Sequence, residues 1–170
     1  MITKLVNGSS SMPLSDTAAP QQANPVVLNQ SLVEQLLDQM GIKHTVDSEG
    51  DLVAGWDGFR TYFMFHTEGD QPFFAIRTFY DRRYSAEDRE QLFTALNAWN
   101  RRSLWPKAYV HTHEDGTFGV IGEIHMLCAS GVFLDHFAPS LLSWVTAPVE
   151  LHTWLTDEFS AVKHSAPAAQ

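Results

Sequence analysis

Disulfides, a basic face and long apolar runs are what this sequence lacks. Cys128 is the only cysteine in 170 residues, so no intrachain disulfide can form, and a reducing, cytoplasmic setting is expected. Eleven Lys and Arg stand against twenty Asp and Glu, a formal net charge of -9 at pH 7. A binder of duplex or anionic bilayer presents a dense basic surface, so neither nucleic acid nor membrane is expected as a partner. No apolar run nears the roughly 20 residues that cross a bilayer. Met1 to Val6 lacks the basic start and apolar stretch of a signal peptide. The Gly-x-Gly-x-x-Gly fingerprint and the P-loop are missing, so nucleotide folds have no support. So is the Gly-x-Ser-x-Gly elbow that would expose a serine nucleophile.

What is present is a core. Hydrophobic residues make up 44% and aromatics 12% of the chain, enough for one globular domain and too short a chain for two. Residues 1–28, rich in Ser, Ala, Pro, Gln and Asn, bury too little to offset their ordering entropy and read as a flexible tail. Residues 161–170 read the same way, leaving a domain over 29–160. Ser31 with Glu34 has the spacing of a capping box, and Leu32, Val33, Leu36, Leu37 and Met40 follow as a helical stripe closed by Gly41. Strands are predicted over 42–46, 52–56, 59–66 and 73–80. Asp57-Gly58 is a two-residue hairpin turn in which both residues want positive φ, and residues 68–72 form a second turn. Ser85 with Asp88 opens a second helix whose core face is Leu92, Phe93, Leu96 and Trp99, and Asn100 suits a left-handed stop. Pro106 launches strands 107–112 and 118–126 around Asp115-Gly116. A final helix over 132–159 should be kinked or split by Pro139 and Pro148. The order of helix, four strands, helix, two strands and helix is that of an α+β domain on an antiparallel sheet of five to six strands.

The residues that could carry chemistry do not converge. His111 and His113 share a strand face and could chelate a metal. With Asp115-Gly116 as a two-residue turn, however, His125 falls opposite Pro106, about 17 Å along the strand from His111. Metal binding is therefore not expected, and no cofactor is implied. Cys128 has no basic neighbour and reads as a buried small hydrophobe. Asp81-Arg82-Arg83 and Arg101-Arg102 read as solvated helix ends with an ion pair. Glu123, mid-strand and opposite Ala108, is expected to pair with a donor such as Lys107 or an indole N–H, in a structural role. No second acid stands beside it, so acid–base catalysis has no support and the protein is expected not to be an enzyme.

The strands hold more aromatic surface than one core face needs. Phe59, Phe63 and Phe65 alternate with Tyr62 and Met64, and Phe73, Ala75 and Phe79 alternate with Phe74, Ile76 and Tyr80. Either helices cover both faces, or one face meets another chain.

Several of these pieces resemble one family. Trp56 before the Asp-Gly turn, Leu96-Asn97-Ala98-Trp99-Asn100, Pro106-Lys107-Ala108-Tyr109-Val110, Gly122-Glu123 and Gly131-Val132 are similar to the YbjN domain family, over about residues 29–159. The resemblance implies a sensory-transduction regulator with a fold like that of type III secretion chaperones: helices on a twisted antiparallel sheet, often as a dimer. It implies no catalytic residue. The expectation is a non-enzymatic regulator or chaperone-like adaptor that binds a protein partner or a second copy of itself. Trp56, Tyr62, Phe74, Trp105 and Tyr109 are the candidate contacts. The alternative is a small-molecule sensor with a pocket between helix and sheet.

Overall fold

The computed structural model describes residues 24–69 and 71–165, with only the backbone of Glu68 and of residues 161–165. Residues 1–23 and 166–170 of the two expected tails lie outside the described residues; the described parts are not tail-like, since Val26 bridges Val132, Leu28 is buried and residues 161–165 continue the final helix. The elements follow in order as α1 (Gln30–Gln39), β1 (His44–Val46), β2 (Leu52–Trp56), β3 (Phe59–Glu68), β4 (Gln71–Tyr80), α2 (Arg89–Arg102), β5 (Lys107–Thr112), β6 (Phe118–Leu127) and α3 (Leu134–Ser165). This is the order that the apolar patterns predict. The six strands form one antiparallel sheet in the order β1-β2-β3-β4-β6-β5.

All three helices pack on one face of that sheet. One cluster joins Val33 and Leu37 of α1 and Phe137, Leu141 and Val145 of α3 to Leu52, Phe63, Ile76 and Ile124. These four strand residues lie side by side across β2, β3, β4 and β6. A second cluster joins Leu92, Leu96 and Trp99 of α2 and Leu151, Leu155 and Phe159 of α3 to Phe59, Tyr80, Ala108 and Val120. Between the clusters a row of small side chains, Ala54, Thr61, Thr78, Gly122 and Ala108, crosses the sheet. Buried Thr61 and Thr78 satisfy one another's hydroxyls at 2.9 Å, which removes the cost of an unpaired polar group there. The Tyr80 hydroxyl donates to the Pro148 carbonyl at 3.0 Å, tying α3 to the sheet.

Several local expectations are corrected. The cap of α1 is Asn29, whose side chain accepts from the Leu32 amide at 2.9 Å; Ser31 lies inside the helix. Ser85 and Asp88 do bond through the Ser85 amide and hydroxyl, both 2.9 Å from Asp88 Oδ2, but α2 begins only at Arg89. Phe93 is 44% exposed under Arg89, and Ala95 takes the core position. In the β2–β3 turn only Gly58 has positive φ, at 85°. A Cβ on Gly58 would also come within 2.6 Å of His152 Cε1, so space and backbone both require glycine. The second turn is shorter than residues 68–72, because Glu68 already pairs with Gln71. Asn100 is not a helix stop, since α2 runs on to Arg102. Pro139 and Pro148 both lie within α3, which they do not split.

Candidate functional site

The sheet face turned away from the helices is the candidate site. Strand alternation and register bring Arg60, Tyr62, Met64 and His66 of β3 beside Phe79, Arg77, Ala75 and Phe73 of β4. Ile121, Glu123, His125 and Leu127 of β6 continue these rows, and Lys107, Tyr109 and His111 of β5 close them. None of these residues belongs to either helix-packed cluster. Rings pair across the strands: Tyr62 meets Phe79 edge-on at 5.5 Å, and Phe73 lies 5.4 Å from His66 and 5.8 Å from His125. Tyr109 is 42% and Leu127 73% exposed. Large apolar groups in such numbers on a face without a helix mark a contact surface more often than an ordinary solvated one.

Charge on this face is held by one constellation. Arg77 Nε donates to Glu123 Oε1 across β4 and β6. Among the described residues its terminal nitrogens form no further hydrogen bond. Tyr109 lies against the same carboxylate: burial first, then its hydrogen bond to Glu123 and the negative charge there, raise its phenol above the ordinary value. The expected partners of Glu123 do other things. Lys107 pairs with Glu123 in register, but its Nζ donates to Asn100 O and Ser103 O, both at 2.8 Å, closing the end of α2. The Trp99 indole donates to Pro106 O at 2.8 Å. Ala108 is opposite Gly122 rather than Glu123.

Two of the five candidate contacts reach this face, Tyr62 and Tyr109. Phe74 is 1% exposed and packs on Phe137 and Phe65 in the helix-facing core. Half-buried Trp56 stacks on Phe59 at 5.2 Å, and half-buried Trp105 meets Trp144 edge-on at 6.3 Å, both on the helix side. Residues 60, 66, 77, 121 and 127 belong to the face and are not among the contacts expected from the sequence, and His125, weighed there only as a metal ligand, joins them. The alternation of β3 carries the signal for Arg60 and His66. The register to β4 and β6 needed turn lengths that the sequence leaves open.

The other constellations stay apart. Thr112 pairs with Phe118, one residue off the two-residue turn expected at Asp115-Gly116, so His111 lies opposite Gly119. The His111 and His113 rings touch at 4.8 Å, and His125 is farther along the sheet still. Arg60 and Asp81 stand 3.9 Å apart, and Arg83 and Asp115 3.8 Å. Arg82 lies over Tyr84 and Phe159, and Arg102 over Trp99 and Trp154, so both guanidinium groups cap aromatic ends of the core. Cys128 is buried, and burial raises its thiol.

A hollow of about 580 Å³ also lies on the open face, its lining including His66, Phe73, Ala75, Arg77, His125 and Leu127. Between helices and sheet the space is filled by the two clusters. No described helix is long and apolar enough to cross a membrane.

Comparison with known proteins agrees with this architecture. The family YbjN, described as "Putative bacterial sensory transduction regulator", matches residues 29–155. The crystal structure of YbjN, "a putative transcription regulator from E. coli", aligns with a TM-score of 0.54 and 18% identity. The alignment covers 83% of this chain and 96% of that one; at that identity the likeness speaks for the fold alone. No curated protein matches the chain.

Proposed function

The chain belongs to the YbjN family, and from that premise we propose that it is a non-enzymatic regulator that docks a protein partner, or a second copy of itself, on the helix-free sheet face. The observation that carries this reading is the run of cross-strand aromatic pairs, Tyr62–Phe79 and His66–Phe73–His125, on a face that none of the three helices packs against. Rigid rings offer contact area at little cost in side-chain entropy, which is why they anchor interfaces. A cytoplasmic location fits the lone cysteine. The chaperone-like layout implied by the resemblance fits an adaptor that holds an extended segment against a sheet.

Photo-crosslinking in the native host tests the reading. A photoreactive residue at position 109 should give a discrete protein adduct or a doubled mass, and one at exposed Asp157 on α3 should give neither. Tyr62→Ser with Phe79→Ser, introduced alongside that probe, should abolish the adduct and leave the circular dichroism unchanged. Phe74→Ser, by contrast, should cost on the order of 3–5 kcal/mol, since it empties a core position. Equal adducts from positions 109 and 157, or an adduct that survives the double substitution, would remove the sheet face from consideration.

A further inference from the structure

We infer that the hollow over Ala75 is a binding site for a small organic anion, a carboxylate carried on a planar apolar body. The hollow lies over a small residue. Along β4 the open face reads Phe73, Ala75, Arg77, and Ala75 is flanked across the strands by Met64 and His125. The Ala75 methyl, only 1% exposed, lies beneath these longer side chains, and the hollow opens above them. The volume of about 580 Å³ falls within the roughly 300–1,000 Å³ of small-ligand sites.

The lining divides into two halves that match two halves of a ligand. Phe73 and the 73% exposed Leu127 supply an apolar wall suited to a flat ring. Arg77, His66 and His125 supply donors. Arg77 uses Nε for Glu123, so its terminal nitrogens, which have no further hydrogen bond among the described residues, are available to a carboxylate in the paired geometry that a guanidinium favours. Each imidazole can offer a ring N–H. None of the eight lining residues is acidic, and Glu123 is engaged by Arg77. In a chain of net charge -9, a donor-rich, acid-free pocket beside aromatic rings selects an anion locally, against the sign of the whole molecule. The site shares the interaction face, so ligand and docked protein would compete for it. It does not depend on that docking.

Calorimetric titration of the full chain with aromatic monocarboxylates (benzoate, 3-phenylpropionate and indole-3-carboxylate) against the neutral amides of the same rings and inorganic phosphate tests the inference. At least one carboxylate should bind in the micromolar to millimolar range, and its amide at least about tenfold more weakly. Arg77→Gln with Glu123→Gln removes the guanidinium without stranding a carboxylate, and should erase the preference for acid over amide. Ala75→Leu should abolish binding of both by pushing the side chains above it into the hollow. Absence of carboxylate binding at millimolar concentration overturns the inference, as does equal affinity for the amide. So does phosphate binding as tightly as the ring acids, or a preference that survives the double substitution. Crosslinking from position 109 in the parent chain separates the outcomes: adducts there beside no carboxylate binding overturn the ligand site and leave the docking role standing alone.

Discussion

Asn100 takes the place of a neighbouring strand at one position. From the last turn of α2 its Oδ1 accepts from the Ala108 amide at 2.9 Å and its Nδ2 donates to the Ala108 carbonyl at 2.8 Å. Both backbone groups of an edge-strand residue are thereby satisfied by one amide. Removing it leaves a half-buried donor and acceptor to compete for water, so Asn100→Ala should cost about 1–3 kcal/mol in urea unfolding. Asn100→Asp keeps the acceptor and should lose less. Exposed Asn97→Ala should stay within about 0.5 kcal/mol of the parent. The sequence makes Asn100 prominent for a different reason, as a residue fitted to end a helix. The same short amide suits a local stop and a long-range bridge, and local pattern contains nothing about Ala108. Glu123 is a parallel case. Its placement mid-strand shows that it needs a donor; Arg77 and Lys107 both flank it in register, and Arg77 is the partner because Lys107 is drawn to the Asn100 and Ser103 carbonyls.

At the scale of elements, existence and order were legible and junctions were not. Stripes such as Leu92, Leu96 and Trp99 and the alternation in β3 persist whatever the neighbours do. Caps and turns hinge on one or two residues. For α1, two polar residues compete for the cap, and the one with the better-known spacing motif loses to Asn29. Asn29→Ala should therefore destabilise the protein by about 1 kcal/mol, with Ser31→Ala within about 0.5 kcal/mol; thermal melts of the two variants side by side decide it. The turn after β3 had a larger consequence. Its length fixes which residues of β4 share a face with Tyr62, because each residue added or removed turns the next strand over. Glu68 pairing with Gln71 puts Phe74 behind Phe65 in the core, and Ala75 and Phe73 beside Met64 and His66 on the open side. The candidate site was thus half legible: the surplus of aromatic surface was visible, and its division between faces was not.

At the scale of the whole molecule, two buried tyrosines couple folding to alkaline pH. Burial pushes the Tyr84 phenol up to about 12, with the Asp88 charge adding to this and Arg82 opposing it. Burial also holds Tyr80 well above the ordinary range, its hydroxyl being committed to Pro148. Below about pH 10 folded and unfolded chains both keep these protons, and stability is unaffected. Above it the unfolded chain releases them first, so stability falls, by up to about 1.4 kcal/mol per pH unit for each tyrosine. Urea midpoints from pH 9 to 12 should fall steeply only in the upper half of that range. Tyr84→Phe should remove one tyrosine's share of the slope.

Strand order also bears on the protein's birth at the ribosome. The partner of β4 is β6, paired from Phe79–Ile121 to Phe73–Leu127, and α2 and β5 are synthesised between them. Strands β1 to β4 can zip up as hairpins while the inner edge of β4, later the middle of the sheet, still waits for a strand not yet made. During that interval a long aromatic strand has unpaired backbone groups, which is the condition for edge-to-edge association. Stalled nascent chains whose emerged portion ends between Tyr80 and Phe118 should be the ones that recruit holdase chaperones, and release should come once Leu127 is clear of the tunnel.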